Sequence, residues 1–227
     1  MSGMDWPAIW LSLRLAAIVC AVLLVIGLPI ACWLTFSRWR WRFLVESIVA
    51  LPLVLPPTVL GFYVLMAIGS RSPFGRAWER WTGHGLAFTF EGLVLASVLY
   101  SLPFMVQPMA SAFAQVDTSL IEASSTLGAS RLRTFFFITI PLSIDGIVTG
   151  VVLAFAHTLG EFGVVLMVGG NLPGVTRTVS ISIYDQVQSF RYDDANATAL
   201  LLLVFSFVVL AGVYALTRKP WTMAPLK

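Results

Sequence analysis

The stretch Glu122-Ala123-Ser124-Ser125-Thr126-Leu127-Gly128 runs on through Arg131 and Arg133 to Ile138-Thr139-Ile140-Pro141. It is the one long polar-to-mixed segment with helical spacing in an otherwise lipid-soluble sequence. Read locally, it is a helix, a break and a second short helix. Ser119 followed three residues later by Glu122 fits a capping box, in which each side chain satisfies an amide that the first turn leaves unpaired. Gly128 suits the left-handed turn after a helix end. Pro141 can open the next helix, because its missing amide proton is not needed there. One reading is a plain surface hairpin, with Glu122 as cap and Gly128 as stop. The other is a working contact, since this segment is the polar exception in an apolar chain.

The rest of the chain sets that contrast. Its 227 residues are 58% hydrophobic and 11% charged, with a mean hydropathy of +0.89. Soluble domains carry about a quarter charged residues, so this is the composition of an integral membrane protein and argues against a water-soluble enzyme. Crossing a hydrocarbon layer takes about 20 helical residues. Five apolar runs meet that length, near 8–36, 44–69, 86–114, 143–169 and 195–217. The fold expected is all-α and integral to the membrane, one transmembrane domain over 8–217 with the polar hairpin at 118–141 inside it. The first run has no basic region before it and exceeds a signal core of roughly 7–15 residues, so it reads as a retained helix.

Orientation follows from Lys and Arg. With the N-terminus outside, Arg38, Arg40, Arg42, Arg131, Arg133, Arg218, Lys219 and Lys227 are cytoplasmic, and Arg71, Arg76, Arg80, Arg177 and Arg191 fall in two longer external loops. The hairpin is thereby placed in the cytoplasm. These flanks explain the net charge of +3, and no basic cluster is dense enough for nucleic acid. Cys20 and Cys32 sit about 18 Å apart by helical rise, too far to bridge, and read as packing residues.

Within the spans, Trp6, Pro7 and Trp10 open the first helix as an interfacial anchor, and Arg14 snorkels toward headgroups. In the second, Pro52, Pro56 and Pro57 remove amide donors and must kink or break the helix. Freed carbonyls at membrane depth need protein or water, so Pro56, Pro57 and Thr58 read either as a structural kink or as a gate lining. Ser97, Ser101 and Gln107 in the third span suit helix-to-helix hydrogen bonds as well as substrate contact. In the fourth, His157 and Glu161 are four apart and share a helical face. Two ligands without a third make a poor metal site, so a paired polar face is the better reading, and none of the residues is assigned to a metal. Glu161 still needs a partner or water at that depth. Gly150 and Ala154 offer small residues for close helix packing. Over 169–194, Ile181, Tyr184 and Val187 recur at helical spacing and mark a short outer helix, a packed loop or an external gate. His84 has no identifiable partner.

The chain lacks a phosphate-binding Gly-x-x-x-x-Gly-Lys-Ser/Thr loop, a Gly-x-Ser-x-Gly elbow and a His-Glu-x-x-His pair. A membrane conduit with a cytoplasmic hairpin and no such chemistry is one driven from outside itself. The alternatives are a proton-coupled carrier using His157 and Glu161 as a relay and a structural scaffold.

The hairpin resembles the cytoplasmic signature of bacterial ABC importer permease subunits: Glu-Ala-Ala, three residues, Gly, nine residues, Ile, one residue, Leu-Pro. Glu122, Ala123, Ser124, Gly128, Ile138, Ile140 and Pro141 fall in that register, with Ser for the second Ala and Ile for Leu. Leu51 to Gly61, Leu159 to Gly163 and Gly169 to Thr178 resemble the molybdate, tungstate and sulfate branch. The resemblance implies a type I importer permease fold with about five transmembrane helices and a cytoplasmic coupling helix. It implies two copies of the chain on two ATPase subunits that bind ATP and Mg, no cofactor in the chain itself, and a periplasmic protein delivering the oxyanion. It casts Glu122, Ala123, Ser124, Leu127, Gly128, Arg131 and Pro141 as the ATPase contact, in the inner membrane of a bacterium. Such an anion needs hydrogen-bond donors more than a full countercharge. Thr58, Ser101 and Thr158 are candidates, with Pro56, Pro57 and Glu161 at the gate.

Overall fold

The computed structural model describes residues 4–217, and all regular structure among them is helical. The tail cations Arg218, Lys219 and Lys227 lie outside the described residues. Among the described residues, three helices are long and apolar enough to cross a membrane, five if each of two bent pairs counts as one span.

The core is a triad of helices: α1 (Trp6–Phe36), α5 (Phe90–Ala114) and α9 (Ile144–Gly160), each packed on the other two. Leu15, Val19 and Leu23 of α1 meet Met105, Met109 and Phe113 of α5 in one buried cluster. Small residues set the spacing. A Cβ on Gly150 would stand 2.8 Å from the Met105 carbonyl oxygen, and one on Gly146 would stand 2.8 Å from that of Pro108. The small-residue stripe expected at Gly150 and Ala154 thus extends to Gly146 and lets α9 lie against the backbone of α5. Cys20 and Cys32 are both free.

The second apolar run, expected as one stretch over 44–69, is two helices, α2 (Arg42–Val54) and α3 (Pro57–Ile68), meeting at a bend of 115°. The prolines explain the corner. Leu55 is extended (φ −72°, ψ 136°) because it precedes Pro56, and Pro56 is extended (φ −54°, ψ 137°) because it precedes Pro57. Pro57 then opens α3 at a position that needs no amide proton. A 10-residue helix, α4 (Pro73–Thr82), is capped by Ser72, whose hydroxyl oxygen accepts from the Gly75 amide at 2.8 Å, and stopped by Gly83 at φ 83°.

After α5 come α6 (Thr118–Thr126), α7 (Arg131–Thr134), a π-helical turn Phe135–Thr139 and α8 (Ile140–Leu142). From Arg131 to Leu142 the helical turns run on as one rod, which meets α9 at 72°. The π-turn ends at Thr139, one residue short of Pro141, whose ring would crowd the carbonyl of Phe137 in regular α spacing. Widening the turn relieves that clash. Pro141 therefore lies inside a continuous helical rod and does not begin a new one.

The fourth apolar run, 143–169, is also divided. Helix α9 stops at Gly160, Glu161 is extended (φ −67°, ψ 135°), and α10 (Gly163–Gly169) follows. The chain then forms α11 (Val179–Gln188), where the helical spacing of Ile181, Tyr184 and Val187 expects a helix, and α12 (Tyr192–Thr217). Helix α12 packs on α11 and α9 and leaves Leu203, Phe207 and Val208 exposed, the surface of a helix that faces lipid. One reversal is unusual. At the end of α11 the Arg191 amide donates to the Gln186 carbonyl and that of Phe190 to Val187, a turn whose left-handed position is normally Gly. Here it is Phe190, at φ 59° and 80% exposed.

Replacing Gly146 with Val is expected to force α9 off α5 and destabilise the bundle by about 1–3 kcal/mol, the usual range for overpacking. Thermal unfolding of the detergent-solubilised protein measures it, with Gly160→Val, where a Cβ meets nothing within 4 Å, as the control for substitution alone.

Candidate functional site

Helix α6 is capped by Asp117, not by the expected Ser119–Glu122 box. The Asp117 carboxylate accepts the Ser119 amide at 2.8 Å, so Ser119 is the capped residue and the helix begins two positions earlier than the box implied. Asp is as good an N-cap as Ser, and the acid wins because it precedes the turn. The same hydrogen bond holds its carboxyl below the usual carboxylate range. Glu122 projects outward, exposed.

At the other end of α6, Gly128 takes φ 78°. The Ala129 amide donates to the Ser124 carbonyl at 3.1 Å and the Gly128 amide to that of Ser125 at 3.0 Å, the paired bonds of a Schellman stop. Ser130 caps α7 by accepting the Arg133 amide at 3.3 Å. The two arms are tied by Ser124 Oγ and Thr134 Oγ1, 2.8 Å apart and both buried. Ala123, Leu127 and Arg131 are exposed like Glu122, Leu127 to 88%, and Pro141 is exposed further along, in α8. Leu120, Leu132, Phe136, Phe137 and Leu142 are also exposed on this unit. Large apolar side chains left exposed on an otherwise polar segment point to a contact surface.

The two helix breaks meet one another. A Cβ on Gly163, at the start of α10, would stand 2.6 Å from Pro57 Cβ, and one on Gly61 would stand 2.8 Å from Met167 Cβ. Helices α3 and α10 are thus in near backbone contact, with Val64, Ile68, Val164 and Val168 buried between them and α5. Glu161, 7% exposed, accepts the Val164 amide at 2.7 Å and so caps α10 across the break. Pro56 and Thr58 are exposed and Pro57 half-buried. Thr58, the second residue of α3, stands at the α2–α3 corner and is not hydrogen-bonded to the pair formed by Ser101 and Thr158.

That pair joins α5 to α9. Ser101 Oγ lies 2.9 Å from both His157 Nδ1 and Thr158 Oγ1, and the Thr158 hydroxyl donates to the Ala154 carbonyl at 2.8 Å. One proton order satisfies all three contacts: His157 Nδ1–H to Ser101, Ser101 to Thr158, Thr158 to the backbone. The His157 ring stacks on Phe104 with centroids 3.9 Å apart and approaches Tyr100 at 4.7 Å. The paired polar face expected for His157 and Glu161 does not form. Helix α9 ends between them, and the two side chains turn to different partners. Among the described residues, no group of three or more His, Cys, Asp or Glu is placed to hold a metal.

At the far end of the bundle, Arg177 Nε donates to Asn171 Oδ1 at 2.6 Å, and its Nη1 lies 3.7 Å from Asp5 and 3.9 Å from Asp185. Asp5 also accepts from Ser182 at 3.1 Å, and Ser12 from the Val179 amide at 2.7 Å. This cluster fixes the start of α1 to the loop before α11 and to α11 itself, a link that sequence reading missed because its members lie more than 160 residues apart. Arg14 packs its guanidinium over Phe90 at 4.6 Å, and His84 is exposed beside the Gly85 carbonyl.

Residues 8–221 match the family model described as the binding-protein-dependent transport system inner membrane component. The chain belongs to that family, and it is a multi-pass inner membrane protein of the permease class. Among its relatives, the molybdenum transport system permease protein ModB of Azotobacter vinelandii is 48% identical over 219 residues, covering 96% of each chain. The protein of the same name from Escherichia coli K12 is 40% identical over 185 residues, 82% of this chain and 81% of the relative. The fold is that of solved ABC importers. A bacterial ABC transporter for the acidic polysaccharide alginate aligns with TM-score 0.77 at 18% identity, covering 98% of this chain and 82% of that one. The inward-facing MetNI methionine ABC transporter aligns with TM-score 0.73 at 17% identity over 95% of both.

The Asp117 cap makes a pH prediction. Its folded-state value is lowered, so the cap's contribution is complete above the ordinary Asp value of about 3.9 and is lost as pH falls through the lowered one. Hydrogen exchange at the Ser119 amide should be slow near neutrality and accelerate beyond its intrinsic pH trend only in strong acid. Asp117→Ala should expose it at every pH, whereas Asp117→Asn should keep it protected.

Proposed function

We propose that the chain is the membrane-spanning permease subunit of an ATP-driven molybdate importer. The observation that carries this reading is full-length similarity to molybdenum permeases joined to a preformed hairpin, whose exposed residues Glu122, Ala123, Leu127 and Arg131 accompany large apolar side chains left uncovered. Two copies of the chain form the conduit, with the N-terminus outside and the C-terminus in the cytoplasm. Two ATPase subunits, holding ATP and Mg, grip the α6 hairpins, and a periplasmic binding protein delivers the oxyanion. The chain itself hydrolyses nothing.

In this reading the hairpin transmits ATP-driven closure. A motor shifts the conduit only through different contacts in its two states, and a rigid hairpin makes such differences felt in the bundle. Helices α3 and α10, docked break to break at Pro57 and Gly163, form the gate, with Glu161 holding the break open to rotation by capping α10. The hydroxyls of Ser101 and Thr158, together with Thr58 at the α2–α3 corner, are the candidate hydrogen-bond donors for the passing anion.

The proton-coupled alternative loses its motif, because His157 faces Ser101 while Glu161 faces the Val164 amide. Tungstate and sulfate remain the chemical neighbours to separate from molybdate. In the reconstituted complex, binding protein loaded with molybdate should stimulate ATP hydrolysis and uptake. Equal stimulation by sulfate-loaded protein would reject the narrow substrate assignment, and uptake driven by a proton gradient without an ATPase would reject the whole reading.

Gly128 supplies a second test. A side chain there has room but must adopt a left-handed backbone, at roughly 1–2 kcal/mol. Gly128→Val should leave the bundle folded while lowering uptake per ATP hydrolysed, measured in proteoliposomes. Unchanged coupling would remove the hairpin from the transmission route.

A further inference from the structure

Ser124 occupies an unusual place in the hairpin. Its backbone carbonyl takes the Ala129 amide that closes α6, and its hydroxyl meets Thr134 on the opposite arm. Both side chains are buried, at 8% and 6% exposure, whereas the residues around them on α6 are exposed. Thr134 Oγ1 also reaches the Ser130 carbonyl at 3.3 Å, so protons run in order from Ser124 to Thr134 to the backbone. Immediately after Thr134 comes Phe135, which opens the π-turn and packs edge-on against Phe113 of α5, ring centroids 5.7 Å apart. Phe113 is fully buried in the bundle core. A push on α6 therefore has a short continuous route inward: Ser124, Thr134, Phe135, Phe113.

We propose that Ser124 and Thr134 are positioning residues for energy coupling, their hydroxyl pair fixing the angle at which α6 presents its outer face to the ATPase and passing its movement to α5. The proposal rests on the permease reading above. Without the bond, α6 stays helical through Asp117 and Gly128 but pivots on the Leu127–Ser130 turn, and motion at the ATPase is absorbed there. The hydroxyl has this role only because Thr134 faces it across the turn. An alanine at position 124 fills the same space without the link.

The test uses the complete complex of this chain, its ATPase and the molybdate-loaded binding protein in liposomes. Uptake and ATP hydrolysis are measured together for Ser124→Ala, Thr134→Val, the double variant and Thr134→Ser. Each single change should lower molybdate carried per ATP by about five-fold, the shift expected from losing one net hydrogen bond, with the assembled complex and its melting temperature little changed. The double variant should be no worse than either single, because both remove the same interaction, and Thr134→Ser should restore coupling. An unchanged ratio in Ser124→Ala overturns the proposal, as does a double variant whose defects add. A melting temperature that falls while the ratio holds reduces the pair to a structural contact and equally overturns it. Failure of the wild-type chain to assemble with an ATPase would instead defeat the permease reading, which keeps the two outcomes apart.

Discussion

Backbone amides and carbonyls cannot be left bare in hydrocarbon, and the architecture follows from where this chain satisfies them. Helices α1, α5 and α9 run unbroken and do so mostly within themselves, despite Pro29, Pro103 and Pro108, and they pack as one body, with α9 close enough to α5 at Gly146 and Gly150 to touch backbone. Helix α12 is also continuous, whereas the chain breaks between α2 and α3 and between α9 and α10, and each break carries its own remedy. Prolines remove the amides at the α2–α3 corner. At the α9–α10 break the Glu161 carboxylate takes up the Val164 amide. The two corners are then sealed against each other by Pro57 and Gly163. An unbroken triad beside a pair of mutually docked broken elements is a division between a frame and a part able to move against it.

The hairpin stands at the opposite extreme, wet and polar, yet equally preformed. Asp117, Gly128 and Ser130 each end or begin a helix by a local hydrogen bond that needs no partner protein. What the hairpin lacks is cover for Leu127, Leu132 and Phe137. Order without cover is the condition of a docking element whose entropy loss has been met in advance. Its connection to the core runs through aromatic contacts at Phe135, which tolerate sliding better than a fan of hydrogen bonds would.

Much of this was legible in the chain because local chemistry decides it. Gly128 has a positive φ, the proline run breaks its helix, the small residues of α9 mark its packing face, and the α11 helix falls on its apolar spacing. The cap was misread because Asp117 and Ser119 both suit the role and only the chain's entry direction chooses between them. The His157–Glu161 face failed for a different reason: a four-residue spacing means one face only if the helix continues, and nothing local announces that it stops at Gly160. The Arg177 cluster and the Ser124–Thr134 bond were invisible because their pairings depend on tertiary placement. Phe190 shows the limit from the other side, since no rule for turns would put an aromatic at a left-handed position.

The π-helical turn before Pro141 gives the rod between hairpin and bundle one residue more than α spacing requires. Each residue of an α-helix advances the side chains by about 100° around the axis. Moving that surplus residue one step along the rod would turn the intervening side chain by that angle while the ends stay joined and nearly every backbone bond is kept. The rod is in this sense a screw with one thread of slack. Pro141, whose ring would crowd the Phe137 carbonyl in regular α winding, keeps the slack from being wound out.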